Sequence, residues 1–238
     1  MTEQAVAHEG EPHANGAGAR LNRLRAGVLG ANDGIVSTAA LVVGVAGATA
    51  APGPILTAGV AGLLAGAVSM ALGEYVSVSS QRDAERAMLE KERRELAEDP
   101  EAELEELTRI YEGKGLSRET AERVAGELTA HDAFAAHADA ELHLVPDELT
   151  SPWGAAIASF VSFALGALLP LAAILLPPAE VRIPVTFVVV LAALAITGTV
   201  GARLGEARKL RAAIRVVVGG AIAMAVTYGI GALLGVAV

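Results

Sequence analysis

Apolar residues in this chain gather into long runs instead of alternating with polar ones or recurring every third or fourth position. Five runs stand out, at about residues 26–50, 55–78, 153–176, 183–202 and 212–238. Each is about 20 residues or longer, the length that crosses ~30 Å of hydrocarbon at 1.5 Å per residue. A helix that is apolar on every side needs apolar surroundings, so the pattern predicts five membrane spans. Turn signals separate them: Ala51-Pro52-Gly53-Pro54 after the first run and Pro177-Pro178 after the third.

The stretch from 79 to 147 has a different character, polar and rich in helix formers. The second span passes into it without Pro or Gly, which predicts that the helix continues beyond the membrane. Asp99-Pro100-Glu101 supplies an N-cap, a proline at the first helical position and an acid in the first turn, so a second helix starts there. Gly113 and Gly115 end it, and Ser117 caps a third helix that runs to about Leu144, before Pro146. Residues 1–19 are small and polar. They read as a disordered tail, in which His8 and His13 are solvated, because a signal peptide needs bases followed by an apolar stretch. The expected fold is all-α: a tail (1–19), spans 1 and 2 (20–78), an acidic helical domain (79–148) and spans 3 to 5 (149–238).

Composition adds two exclusions. Hydrophobic residues make up 53% of the chain, mean hydropathy is +0.48, and cysteine is absent. Disulfides, thiolate metal sites and iron–sulfur clusters are therefore excluded, and any bound metal must use oxygen, imidazole or thioether ligands. The net charge of −9 is unevenly placed: residues 82–148 hold 20 acids against 9 bases, leaving 7 acids against 9 bases elsewhere. So acidic a segment argues against nucleic acid as a partner and favours cations.

Basic residues set the expected orientation. Arg20, Arg23 and Arg25 precede span 1, and Arg203, Arg208, Lys209, Arg211 and Arg215 join span 4 to span 5. The opposite side has only Arg182. The N-terminus and acidic domain are thus expected in the cytoplasm and the C-terminus outside. Fifteen arginines to three lysines, with abundant Ala and Gly, point to a GC-rich bacterial genome and hence a plasma membrane.

Candidate chemistry lies in both parts. Asp33 is the one acid in the middle of an apolar span, where a charge costs roughly 2.5–3.5 kcal/mol and marks an ion path or a paired polar site. Its structural alternative is a hydrogen bond to Asn32 or Ser37. Met70 and Glu74, four residues apart on span 2, share a face and offer a thioether and a carboxylate. Small residues recur four apart at Gly30/Gly34, Gly62/Gly66 and Gly231/Gly235, a spacing that suits close helix packing or dimerisation. In the acidic domain Glu92 and Glu95, then Glu103 and Glu106, are spaced i, i+3, and Glu141 follows His137 by one turn. Facing carboxylates repel unless divalent cations sit between them, and oxygen ligands suit the harder first-row ions. Lys91, Arg93 and Arg94 offer surface ion pairs instead, and spacing alone leaves both readings open.

These residues resemble the vacuolar iron transporter family. The resemblance is carried by residues 24–48 (LRAGVLGANDGIVSTAALVVGVAGA) and 66–96 (GAVSMALGEYVSVSSQRDAERAMLEKERREL), and by the plan of two spans, a Glu-rich insertion and three further spans. It implies a three-helix cytoplasmic metal-binding domain between membrane helices 2 and 3, and a homodimer with the ion path between subunits. It also implies export of Fe²⁺, and often Mn²⁺, from the cytoplasm in exchange for protons, with no prosthetic cofactor and no enzymatic reaction. Asp33 and Met70 match the family's membrane path residues, with Glu74 in the same motif. Glu92, Glu95, Glu103, Glu106 and Glu141 match its cytoplasmic metal-binding glutamates. Two positions depart from the pattern of plant members. His137 stands where they place a methionine, so the soft ligand is lost or replaced by imidazole, and Asn22 stands where they carry an acid.

Two other function classes compete with a divalent metal:proton antiporter. A membrane-anchored ferroxidase or iron store would use the carboxylates as a di-iron site, but the two Glu-x-x-His motifs usual there are absent. A metal sensor would change shape on binding without carrying flux.

Overall fold

The computed structural model describes residues 17–146, 150–205 and 207–236, with side chains described from Ala26 to Gly235. His8 and His13 of the tail, and the side chain of Asn22, lie outside that description. Among the described residues every secondary-structure element is an α-helix. The chain comprises α1 (Ala17–Ala48), α2 (Pro52–Glu98), α3 (Pro100–Gly113), α4 (Arg118–Ala140), α5 (Pro152–Leu175), α6 (Arg182–Leu204) and α7 (Lys209–Val236). Five of these helices, α1, α2, α5, α6 and α7, are long and apolar enough to cross a membrane. Pro52 and Pro54 fall within the first turn of α2. The proline pair read as a turn is thus also a helix start, because N–H groups in a first turn have no intrahelical acceptor to lose.

One compact unit comprises 20–76 and 152–238. Its core takes Ile35, Ala39, Val42 and Val43 from α1, one helix stripe, and buries them with Ile55, Leu171, Ile174, Val190, Leu194 and Met224. Backbones approach closely where glycine removes the β-carbon. A β-carbon built on Gly34 would lie 2.2 Å from the Phe163 carbonyl oxygen on α5, and one on Gly231 would lie 1.8 Å from the Gly44 oxygen on α1. Gly30 faces the Ser159 carbonyl of α5, and Gly235 faces that of Ala48. These spaced glycines are therefore spent on packing within the chain. Arg182 is buried at the start of α6 and donates from Nη1 to the Ala50 carbonyl oxygen at 3.1 Å, which fastens the α1–α2 turn.

The second unit includes Ser77–Ser151 and is built from the polar end of α2 with α3 and α4. Asp99 caps α3, its Oδ1 accepting from the Ala102 N–H at 3.1 Å, and Ser117 caps α4. Gly115 takes a φ of +100°, a left-handed turn that glycine adopts without steric cost. Leu107, Ala125 and Ala140 form a small apolar core beside Ile110, Tyr111 and Leu128. Arg118, at the head of α4, reaches three acids: Glu105 at 2.5 Å, Glu112 at 3.3 Å and Glu122 at 2.6 Å.

The third polar helix differs from the expectation. It ends at Ala140 rather than near Leu144, and it is interrupted at Asp132, whose φ of −159° and ψ of 95° are not helical. The Asp132 carboxylate accepts from the Ala135 N–H at 2.9 Å, so it caps a new short helical stretch. The guanidinium of Arg93 on α2 stacks 4.3 Å from the Phe134 ring of that stretch.

Candidate metal centres

The polar unit brings four of the expected ligand residues together. His137 is fully buried, Glu92 is 2% exposed and Glu103 is 8% exposed, while Glu141 is partly buried. His137 Nδ1 lies 2.9 Å from Glu92 Oε1, 3.5 Å from Glu103 Oε2 and 3.7 Å from Glu141 Oε2. Glu92 comes from the polar end of α2, Glu103 from the first turn of α3, His137 from the short stretch after the break in α4, and Glu141 from its C-cap.

The chemistry of the cluster lies in what its atoms lack. Glu92 Oε1, both nitrogens of His137 and Glu141 Oε2 are buried and make no hydrogen bond. Buried polar atoms without partners cost about 1–3 kcal/mol each, so four in one place call for a shared partner. One ligand atom from each of Glu92, His137 and Glu141 falls within 4.8 Å of the others, close enough to hold one ion. Imidazole and carboxylate donors suit first-row divalent metals.

The electrostatics agree. Burial first, and then the carboxylates of Glu141 and Glu103, push the Glu92 carboxyl up to about 7. Burial also raises Glu103, with Glu106 adding to the shift and His137 opposing it. A cation among these groups relieves both the desolvation and the mutual repulsion. Glu105 behaves in the opposite way: hydrogen bonds from Arg118 hold it down at about 2, as in an ordinary surface ion pair.

Glu95 and Glu106 do not enter the buried cluster. Glu95 is half-buried and pairs with Lys91 at 2.8 Å, and Glu106 is exposed. Both act on Glu92 through charge alone.

In the apolar unit, Asp33 and Met70 line one cavity of about 300 Å³ between α1 and α2, with Ser37, Thr38, Leu41, Ser69 and the Phe163 ring. The Ser37 hydroxyl donates to Asp33 Oδ1 at 2.8 Å and also approaches the Asp33 carbonyl oxygen. Asn32 faces elsewhere and accepts from Thr197 Oγ1 on α6 at 2.5 Å. Gly62 and Gly66 keep the cavity open, since a β-carbon at Gly66 would lie 2.2 Å from Phe163 Cζ. Glu74, one turn beyond Met70, is half-buried and does not line this cavity. Its neighbour Tyr75 packs on Trp153 with ring centroids 4.8 Å apart. The hydroxyls of Thr38 and Ser69 also line the cavity, a placement not predicted from the sequence. Their signal is adjacency, next to Ser37 in one case and Met70 in the other.

The sequence pattern of the VIT family matches residues 24–232, which takes in both groups of candidate residues. This chain belongs to that family. Among relatives of this VIT family member, a vacuolar iron transporter from Acanthamoeba castellanii is 46% identical over 226 residues, 94% of this chain and 83% of the relative. Vacuolar iron transporter homolog 5 of Oryza sativa subsp. japonica is 40% identical over 89% of this chain and 80% of its own length. Vacuolar iron transporter homolog 3 of Arabidopsis thaliana is 37% identical, covering 91% and 85%. All three carry transporter names and none an enzyme's, in keeping with the reading of this VIT protein as a non-enzyme.

Proposed function

We propose that the chain carries ferrous iron, and manganese, out of the cytoplasm in exchange for protons, working as a homodimer with an ion path between its subunits. The observation that bears most weight is the cavity that places the Asp33 carboxylate and the Met70 thioether together in an apolar helix pair. An acid so placed is costly unless a cation or a proton visits it. The names of the relatives favour iron as that cation.

In this reading the Glu92–Glu103–His137–Glu141 cluster lies on the cytoplasmic side and gathers the ion. Loading it displaces the proton that Glu92 tends to hold near neutral pH. Asp33 then binds the dehydrated ion with Met70, and a proton from the far side replaces the ion when it leaves. Metal and proton compete for one carboxylate, which couples the two fluxes. Glu74 serves as a second carboxylate of the path.

The test is flux in liposomes. Purified protein should move Fe²⁺ and Mn²⁺ when a pH gradient is imposed and slow when the gradient is collapsed. Asp33→Ala should stop the movement, and full flux in that variant would remove Asp33 from the mechanism. Oxygen consumption on adding Fe²⁺, without flux, would favour a ferroxidase instead.

A further inference from the structure

Thr38 sits on α1 beside Ser37 and lines the cavity shared by Asp33 and Met70. It is 1% exposed, and its Oγ1 has no hydrogen-bond partner. Among the described residues Thr129 of α4 shares that condition, but four other helical threonines do not. Thr108, Thr186, Thr199 and Thr227 each donate to the carbonyl four residues back, at distances between 2.6 and 3.0 Å. The same bond from Thr38 would go to the Gly34 carbonyl, and it is not made. A hydroxyl shut away from water normally takes that local bond, because leaving it unmade forfeits the solvation it lost on burial.

The other cavity groups do not supply this hydroxyl with a partner. Ser37 is already engaged with Asp33, and Ser69, an exposed residue, makes no bond to Thr38. Met70 sulfur is a weak acceptor. Phe163 and Leu41 have no polar side-chain atoms. The Thr38 oxygen is therefore the buried, uncommitted neutral oxygen in the wall of the ion-path cavity.

We propose that Thr38 Oγ1 is a ligand of the travelling divalent cation, replacing one of the waters the ion sheds on reaching Asp33. The proposal rests on the reading of this cavity as the ion path. One carboxylate and one thioether are too few for a first-row divalent ion, which takes four to six ligands. A hydroxyl adds coordination without adding charge. That distinction matters for a carrier, since binding must be favourable enough to strip water yet weak enough to let the ion go. A second carboxylate at position 38 would hold the ion too long, and valine would leave it short of a ligand. Oxygen beside sulfur also broadens the choice of ion, since the harder Mn²⁺ gains more from the hydroxyl and the softer ions gain more from Met70.

Thr38→Val keeps the shape and removes only the hydroxyl, and Thr38→Ser keeps the hydroxyl. In proteoliposomes, Thr38→Val should raise the KM for Mn²⁺ about tenfold and the KM for Fe²⁺ by less, while Thr38→Ser stays within about twofold of wild type. Calorimetric metal binding at the Glu92–His137 cluster of the same detergent-solubilised protein should be unchanged. Melting temperature should hold or rise in the valine variant, because an unsatisfied hydroxyl has been removed. A purely structural hydroxyl would instead lower the melting temperature and leave KM alone, and Thr38→Ala provides the same comparison should valine pack badly. If wild type carries metal and Thr38→Val keeps its KM values and metal preference, the proposal is overturned by itself. If wild type carries neither metal, the transport reading fails and takes the proposal with it.

Discussion

His137 Nδ1 and Glu92 Oε1 lie 2.9 Å apart, both buried, and neither makes a hydrogen bond. A metal ion bound beside them would accept an electron pair from each. Glu92→Gln or His137→Ala should therefore lower Fe²⁺ or Mn²⁺ affinity by tenfold or more in calorimetry on the full-length protein in detergent. Glu92→Gln should also raise the melting temperature without metal, since it removes a desolvated charge facing Glu103 and Glu141. Glu105→Gln, which breaks a surface pair, should leave metal affinity unchanged.

The pH dependence has a definite sign. Glu92 titrates at about 7 in the folded protein against an ordinary value of 4.5, with burial as the first cause. A carboxyl raised on folding binds its proton more tightly in the folded state. Its contribution to metal-free stability is therefore complete below about 4.5, falls as pH climbs through the interval up to about 7, and is flat above that. The difference in melting temperature between wild type and Glu92→Gln, followed across that interval without metal, isolates the effect. Metal affinity should move the other way, rising by up to about tenfold per pH unit for each proton displaced and levelling above neutrality.

On the proposed path Met70 supplies the thioether that lines the cavity. Met70→Leu keeps the volume and removes the sulfur, so it should reduce Fe²⁺ flux more than Mn²⁺ flux. Competition between the two ions in liposomes measures the ratio. Equal reduction of both fluxes would mark Met70 as a packing residue.

Glycines give a paired test of helix packing. Gly231→Ala places a β-carbon 1.8 Å from the Gly44 oxygen, so α7 must move off α1, at a cost of about 1–3 kcal/mol or more. Gly219→Ala, with nothing within 4 Å, should be neutral or stabilising by up to about 1 kcal/mol. Thermal unfolding in detergent should separate the two variants clearly.

Much of this architecture was legible in the chain because bilayer thickness fixes span length. The caps at Asp99 and Ser117 were equally legible, because their chemistry is local. The break at Asp132 was not. An aspartate in a polar helix reads as a surface residue, and only the observed bond to the Ala135 N–H shows it starting a new stretch. The glutamate pairs were half legible. Residues three apart share a broad face but diverge by about 60° around the axis. One member of each pair, Glu92 and Glu103, thus enters the cluster, while Glu95 turns to Lys91 and Glu106 to solvent. Glycine spacing likewise announced close packing without naming the partner helix, which turned out to be α5 for Gly30 and Gly34 and α1 for Gly231 and Gly235.

The interruption at Asp132 has a thermodynamic consequence. The imidazole and the final carboxylate of the candidate cluster ride on a two-turn piece held by the Asp132 cap, the Arg93–Phe134 stack and the packing of Ala136 and Ala140 in the small apolar core. The cap and the stack are each worth on the order of 1 kcal/mol. If the cluster takes a metal as proposed, order in that piece and ion occupancy rise and fall together. Amide exchange at 133–140 should slow on adding metal, and loosening the cap or the stack should weaken binding although neither Asp132 nor Arg93 is among the ligands.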